Sequence, residues 1–474
     1  MAHQSAEHAV IIGSGIAGLC AARVLSQHVT RVTIIERDRL PTGPEHRASV
    51  PQSHHVHALL LRGLVELEAL FPGIERELAT HGARRMDMGR DFAHFSEWGW
   101  TKRAEVEVAP LTVSRLLLEH VIRTRVKALP NVRLVEDTRV RGFLHVREGA
   151  TLRVTGVRTD HLELEEIRAD LVVDASGRSG KGQDWLDALG ITRPTEEKVD
   201  AFAGYASRFY KLAPDASRWW RGMLIDPKPP DFRRWGLLMP IEGDRVVLTL
   251  AGVNRDLPPT DEVGFHAYLA SLRSPALARE IARATPLSSI HGFRGLANRA
   301  RRYDTWSERV DGFLAIGDSV VAFNASHGQG MSMAAWCATT LDATLHRVGV
   351  DPTRLPRAFH KAQWSVLSRA WEIATNVDMQ WPETTGTRPL AFRWLRGFAV
   401  EATRAAHEDP ILKKALGPVF QLLASPYAGF RPNIIGRVLW ASLMRRLRGT
   451  KALPAATATP ALPGGDTGSY GALG

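Results

Sequence analysis

At 474 residues the chain has room for two or three domains, or for one large α/β unit with insertions. Its 44% hydrophobic and 23% charged content is that of a globular enzyme, and its two cysteines, Cys20 and Cys337, exclude a disulfide framework and a cysteine metal site. The net charge of +11 rests on scattered arginines with no zinc-finger or RNA-binding pattern around them, which argues against a nucleic-acid partner.

The first residues lack a basic start followed by an apolar core, and every apolar window of about 18 residues is broken by charges, glycines or turn formers. Neither a secretory signal nor a membrane span is expected, and a cytoplasmic location fits. The first informative stretch runs from His8 to Asp38. Residues 9–12 read as a strand buried on both faces, Gly13-Ser14-Gly15-Ile16-Ala17-Gly18 follows at once, and a helical pattern continues to about Gln27. A second apolar strand, 32–35, ends on Glu36. In such a unit Gly13 turns the chain, Gly15 lets a pyrophosphate approach the backbone, and Gly18 permits close helix packing. The helix N-terminus offers free N–H groups to phosphate oxygens. Glu36 stands about 20 residues past the glycines, where a carboxylate accepts ribose hydroxyls. An acid there repels a 2′-phosphate, so FAD or NAD is expected rather than NADP.

A loop rich in Pro, Gly and Arg covers 37–53, and helices are expected at 56–68 and 74–81. Residues 84–109 read as short strands carrying aromatics, and 113–128 as an amphipathic helix. Segments 132–135, 139–146, 152–158 and 162–168 are expected to form a meander of antiparallel hairpins. Residues 171–174 form a buried strand entering Ala175-Ser176-Gly177, and a short helix follows at 185–190. Mixed strands fill 200–254, with helices at 262–271 and 275–284. A buried strand at 313–316 ends on Gly317-Asp318, a long helix starts near Gly330, and helices continue to Arg448. The order implies an α/β fold in three parts and a tail. The parts are a discontinuous Rossmann-like domain (1–83, 110–182 and 290–350), a β-rich substrate domain (84–109 and 183–289) and a C-terminal helical region (351–450). The tail, 451–474, is low in complexity and is expected to be disordered.

The second informative stretch, residues 312–335, decides between the two dinucleotides. Its strand delivers Asp318 to a C-terminal edge, and Gly328-Gln329-Gly330 opens another helix. An acid at that edge can bind the hydroxyls of a ribityl chain, and the helix N-terminus can stabilise negative charge on a reduced flavin ring. NAD has no ribityl chain, so the pair of stretches selects FAD.

Taken together, Gly13 to Gly18 with Glu36, Asp174-Ala175-Ser176-Gly177-Arg178, and Gly317-Asp318 with Gly328-Gln329-Gly330-Met331 resemble the three fingerprints of single-component flavoprotein monooxygenases of the p-hydroxybenzoate hydroxylase fold. Residues 47–60, with Trp185-Leu186 after the second fingerprint, are similar to the bacterial branch of polyene epoxidases of polyether antibiotic biosynthesis. The resemblance implies FAD contacts from Gly13, Gly15, Ile16, Ala17, Gly18, Glu36, Arg37, Arg47, Arg115, Val140, Asp174, Asp318, Gly328, Gly330 and Met331. Arg115 would lie near the pyrophosphate and Asp318 on the ribityl chain. Ser326, His327 and Trp235 would face the substrate, with His327 the one candidate to donate a proton. The implied reaction moves one oxygen atom from dioxygen, through a flavin hydroperoxide, into an apolar small molecule. Alkene or polyene epoxidation in secondary metabolism comes first, with aromatic hydroxylation or prenyl double-bond reduction as alternatives. Electrons would come from NAD(P)H or a separate flavin reductase, because no second dinucleotide motif is present.

Two departures stand out. Ala325-Ser326-His327 replaces the proline and aromatic of many relatives, and Gly177-Arg178-Ser179-Gly180-Lys181-Gly182 replaces the usual second-fingerprint loop. Trp98-Gly99-Trp100-Thr101-Lys102 comes nearest to the tryptophan motif of flavin halogenases but lacks its Ile-Pro ending. His54, His55 and His57 lack further ligands, so no metal is expected. Trp98, Trp100, Trp219, Trp220 and Trp235 are candidates for an apolar pocket or plain core. Residues 434–448 form a basic amphipathic helix, with Ile435, Val438, Leu439, Ser442 and Leu443 on one side, suited to packing or to weak peripheral membrane contact.

Overall fold

The computed structural model describes residues 7–215, 217–387 and 392–448, so the expected tail at 451–474 lies outside the described residues. Five parallel strands carry the first unit: β1 (His8–Ile12), β2 (Arg31–Ile35), β3 (Val132–Val135), β4 (Leu171–Asp174) and β5 (Phe313–Ala315). They stand in the order β5-β4-β1-β2-β3. Every residue of β1, β4 and β5 is buried, because helices cover both faces of the sheet. α1 (Ile16–Leu25) crosses from β1 to β2, and α2 (Leu61–Leu70), α3 (Arg115–Lys127), α4 (Gly330–Val348) and α5 (Leu355–Asp378) complete the layers. Cys20 in α1 and Cys337 in α4 are buried, free thiols.

A second, mixed sheet lies beside the first. Strands Gly204–Lys211, Arg245–Gly252, Arg234–Ile241, Gly222–Ile225 and Phe92–Ser96 run in that order, and Gly99–Trp100 pairs beyond the last. Residues 92–100 thus join the sheet built by 204–252. Strand His291–Arg294, expected in the nucleotide unit, also pairs here, with Gly204–Lys211. The C-terminal helices α6 (Phe392–Glu408), α7 (Pro410–Phe420) and α8 (Pro432–Arg448) gather their own small core around Ala405, Leu412 and Val438.

Three local expectations are corrected. Segment 132–135 is not part of a hairpin meander: α3 carries the chain across the sheet, so β3 lies parallel to β2. The antiparallel hairpin is confined to Val140–Glu148 and Thr151–Thr159, joined by Glu166–Arg168, while Leu162 is fully exposed in a turn. The helix expected at 56–68 begins only at Leu61. Upstream of it the chain is pinned by bonds that a helix would not make: the Val56 N–H donates to Thr249 Oγ1 at 3.3 Å and the Leu60 N–H to Ser332 Oγ at 3.0 Å.

Two buried histidines tie the fold to pH. His55 meets Ser207 Oγ at 2.8 Å, and His360 Nε2 accepts the Ala315 N–H of β5 at 3.1 Å. Burial, helped at His55 by neighbouring imidazoles, pushes both from 6.5 down to about 3. Unfolded chains take up these protons near pH 6.5, whereas the folded protein does so only near pH 3. Their stabilisation is therefore complete above pH 6.5 and is lost as pH falls through that window. Unfolding free energies from urea titrations are expected to hold steady above neutrality and to decline below about pH 6.5, the two groups together costing roughly 3 kcal/mol per pH unit once the pH is below about 5. A flat profile to pH 4 would contradict the neutral assignments.

Candidate cofactor site and active site

Parallel strands leave their carbonyl ends at one edge of a sheet, and the chain turns there into helix N-termini. β2 delivers Glu36 to that edge and β5 delivers Asp318 just beyond it. Three strand spacings separate them, roughly 14 Å at the usual inter-strand distance. Between them lies a cavity of about 430 Å³. Its floor is the first glycine turn and the N-terminus of α1, its far end is Gly328, Gly330 and Met331 at the N-terminus of α4, and Tyr205 of the second sheet lines it as well. Neither helix N-terminus carries a side-chain cap, which leaves backbone N–H groups available to an anion.

At the β2 end, Glu36 Oε2 accepts from the Ser14 N–H at 2.9 Å and from Ser14 Oγ at 2.6 Å. Arg47 Nη1 sits 2.9 Å from the same oxygen, and Arg47 Nη2 lies 3.0 Å from Glu119. Burial opposes the charge on Glu36, but Arg47 and Ser14 outweigh it and hold the carboxyl below its ordinary range. Among the described residues Oε1 takes a single bond, from the Asp38 N–H at 3.1 Å, so it keeps capacity for a ribose hydroxyl. Arg37 and Val140 line the same end.

Asp318 is the opposite case. It has exposed surface, but that surface faces the cavity. No described residue donates a hydrogen bond to its carboxylate. Enclosure pushes its carboxyl up, and Arg178, Arg115 and Arg299 pull it back. Two cavity-wall donors, Arg47 Nε and Arg115 Nε, are buried without an acceptor. Buried polar groups are seldom left so. A pyrophosphate would satisfy the arginines and a ribityl chain the aspartate, so the donor set fits FAD.

The cavity wall thus brings together Gly13, Gly15, Ile16, Ala17, Glu36, Arg37, Arg47, Arg115, Val140, Asp318, Gly328, Gly330 and Met331. The remaining expected contacts are placed elsewhere. Gly18 lies under the turn, where a Cβ would collide with the Gly13 carbonyl oxygen. Asp174 braces the second glycine loop, accepting from the Ser176 N–H at 3.0 Å, from Ser176 Oγ and from Ser319 Oγ at 3.2 Å. Trp235 packs in the second sheet against the cluster around Ala201, Ala251 and Trp381. None of the other four tryptophans singled out in the sequence lines the cavity, and the Trp98–Lys102 segment sits at the sheet edge.

His327 and Ser326 are also off the cavity wall. Asn324 to His327 fold into a short 3₁₀ turn in which the Asn324 side chain caps the Ser326 N–H at 3.1 Å. His327 Nε2 lies 3.0 Å from Asp378, at the end of α5. The buried Asp378 carboxylate also accepts from Asn298 Nδ2 at 2.7 Å and Asn324 Nδ2 at 3.0 Å. This network makes His327 a brace for the turn, so its expected role in facing substrate or donating a proton is withdrawn. Asp378→Ala leaves three donors unpaired and is expected to cost about 3 kcal/mol, read as a lowered urea midpoint. An unchanged midpoint would contradict the clamp.

Among the lining residues that sequence reasoning missed are Arg178, His57 and Tyr205. Arg178, quoted within the second fingerprint, is fastened to Ala297 O at 2.7 Å and Phe323 O at 2.6 Å. His57 donates through Nδ1 to His55 O at 3.0 Å, and Tyr205 stacks on Phe293. Burial, with Arg115 nearby, lowers His57 to about 3, and burial keeps the Tyr205 hydroxyl protonated. His54 is stacked between His46 and His291, so the histidine triplet does not converge on a point. Among the described residues, three donors close enough to share an ion occur at His28, Asp342 and His346, at the end of α1 and α4 away from the cavity.

Residues 7–349 match the model of a family described as an FAD binding domain. The Mycobacterium tuberculosis protein Rv3254 is 33% identical over 450 residues, covering 91% of this chain and 93% of its own. The structure of the flavin-dependent brominase Bmp2 is similar with a TM-score of 0.65 and 16% identity, over 93% of this chain and 100% of that one. PqsL, a probable FAD-dependent monooxygenase from Pseudomonas aeruginosa, is similar with a TM-score of 0.59 and 19% identity, over 79% and 98%. At those identities the two structures speak for the fold and not for the substrate. With the match spanning both acidic edges of the cavity, the chain belongs to the FAD binding domain family, and it shares its fold with a flavin-dependent brominase and a probable FAD-dependent monooxygenase.

Proposed function

We propose that this chain uses FAD to transfer one oxygen atom from dioxygen to an electron-rich carbon–carbon double bond of an apolar molecule, as an alkene or polyene epoxidase. When bound, the reduced flavin would supply the two electrons that activate dioxygen, one oxygen atom going to the substrate and the other leaving as water. The chain's own residues do the rest. Glu36, Arg47 and Arg115 hold the adenosine and pyrophosphate half, Asp318 the ribityl chain, and the α4 N-terminus stabilises negative charge on the ring. Tyr205, Phe323 and Val56 close the site against water.

The observation that favours an alkene over a phenol is His57. A phenol must lose its proton to become a strong nucleophile, and a general base works best with a pKa near the operating pH. His57, the histidine on the described cavity wall, is held near 3 and is a poor base at neutrality. An alkene needs no such base. Electrons from NAD(P)H, directly or through a separate flavin reductase, complete the proposal. The test supplies reduced enzyme with ¹⁸O₂ and panels of polyenes and phenols. An epoxide carrying one ¹⁸O atom is expected; hydroxylated phenols, or saturated product formed without oxygen, would overturn it.

A further inference from the structure

The sequence of α8, Pro-Asn-Ile-Ile-Gly-Arg-Val-Leu-Trp-Ala-Ser-Leu-Met-Arg-Arg-Leu-Arg, contains four arginines and no acid. Its inward side is Ile434 and Val438, buried against α6 and α7. A helix packed on a globular domain normally turns polar residues outward. α8 does not. Leu439, Trp440, Leu443 and Leu447 are 61%, 62%, 49% and 71% exposed, and their spacing puts them on one outward face. The single apolar side expected from the sequence is therefore split, with Val438 inside and Leu439 and Leu443 outside. Phe420 and Tyr427, in the neighbouring segments, are also exposed.

Cations accompany this stripe. Arg446 is exposed beside it, Arg437 reaches Asp409, and Arg445 turns in to Glu401 at 2.6 Å. No described helix is long and apolar enough to cross a membrane. We propose that the outward face of α8 docks on the surface of an anionic bilayer, with Trp440 at headgroup depth and the leucines in the acyl boundary. The charge decides between occupants. A second copy related by a two-fold axis would set Arg446, exposed and without an acidic partner among the described residues, on the same surface as its counterpart, with no acid on either α8 to balance them. Anionic headgroups supply the negative charge that Arg446 lacks, and a cation near such a surface strengthens adsorption. The inference rests on α8 alone and stands whether or not the substrate is an alkene.

The test is cosedimentation of the whole protein with vesicles of phosphatidylglycerol and phosphatidylcholine, or phosphatidylcholine alone. Binding to the anionic vesicles, weakened by salt, is expected. The exposed triple variant Leu439→Ser, Trp440→Ser, Leu443→Ser should lose at least about tenfold in affinity while keeping its FAD content. Arg446→Glu, which touches no apolar contact, should weaken binding to anionic vesicles by a few-fold. Wild-type protein that stays in the supernatant, or a triple variant that binds equally well, would overturn the proposal. So would a dimer, seen by light scattering, that the triple variant converts to monomer.

Discussion

Asp318→Ala is expected to strip the flavin from this protein while leaving the fold standing. The carboxylate receives no hydrogen bond from a described residue, so its removal breaks no internal bond. It also relieves the cost of enclosing a charge, seen in its raised carboxyl pKa. What is lost is an acceptor for the hydroxyls of the cofactor. One hydrogen bond to a charged group contributes about 1.5–3 kcal/mol, which corresponds to a loss of roughly 10- to 150-fold in affinity. Arg178, Arg115 and Arg299 would also lose the charge that balances them. Gel filtration of the variant should yield colourless protein with the thermal midpoint of flavin-free wild-type protein, and Asp318→Asn should retain an intermediate amount of flavin. A variant that stayed yellow would refute the assignment.

The three glycines of the first turn should respond in different ways. Gly13 has φ +99°, and a Cβ there would stand 2.8 Å from the Ala175 carbonyl oxygen. Gly18 would drive its Cβ into the Gly13 carbonyl oxygen, a backbone atom that cannot step aside. Gly18→Ala is therefore expected to destabilise the protein by more than about 3 kcal/mol, and much of it should be recovered as insoluble protein. Gly15 has φ −69° and open space where a Cβ would go, space that belongs to the cavity. Gly15→Val should fold with a normal circular dichroism spectrum and bind FAD at least about 100-fold more weakly, because its methyl groups occupy the anion's approach. If Gly15→Val unfolded, or bound FAD normally, the turn would not be a phosphate site.

The sequence makes some parts of this site plain and hides others, for physical reasons. Gly13, Gly15, Glu36 and Asp318 act at the ends of strands and helices built from their own neighbours, so local pattern carries their roles. Tyr205 and His57 reach the cavity only because a second sheet and a pinned extended segment are brought against the first, and no local periodicity announces that. His327 shows the same limit from the other side. Its orientation is set by Asp378, 51 residues later on α5, which turns a residue of apparent catalytic promise into a structural brace. Segment 132–135 reads as a strand in any context; only the crossover through α3 decides that it runs parallel to β2. α8 is legible as amphipathic, but which of its apolar residues face the core depends on α6 and α7.

The account depends most on one FAD being held between the edges that carry Glu36 and Asp318. Its most direct test is equilibrium titration of flavin-free wild-type protein with FAD, followed by quenching of flavin fluorescence. One FAD per chain, bound tightly enough to survive dialysis, is the expected result. Protein that leaves the fluorescence of added FAD unchanged at every concentration would contradict it.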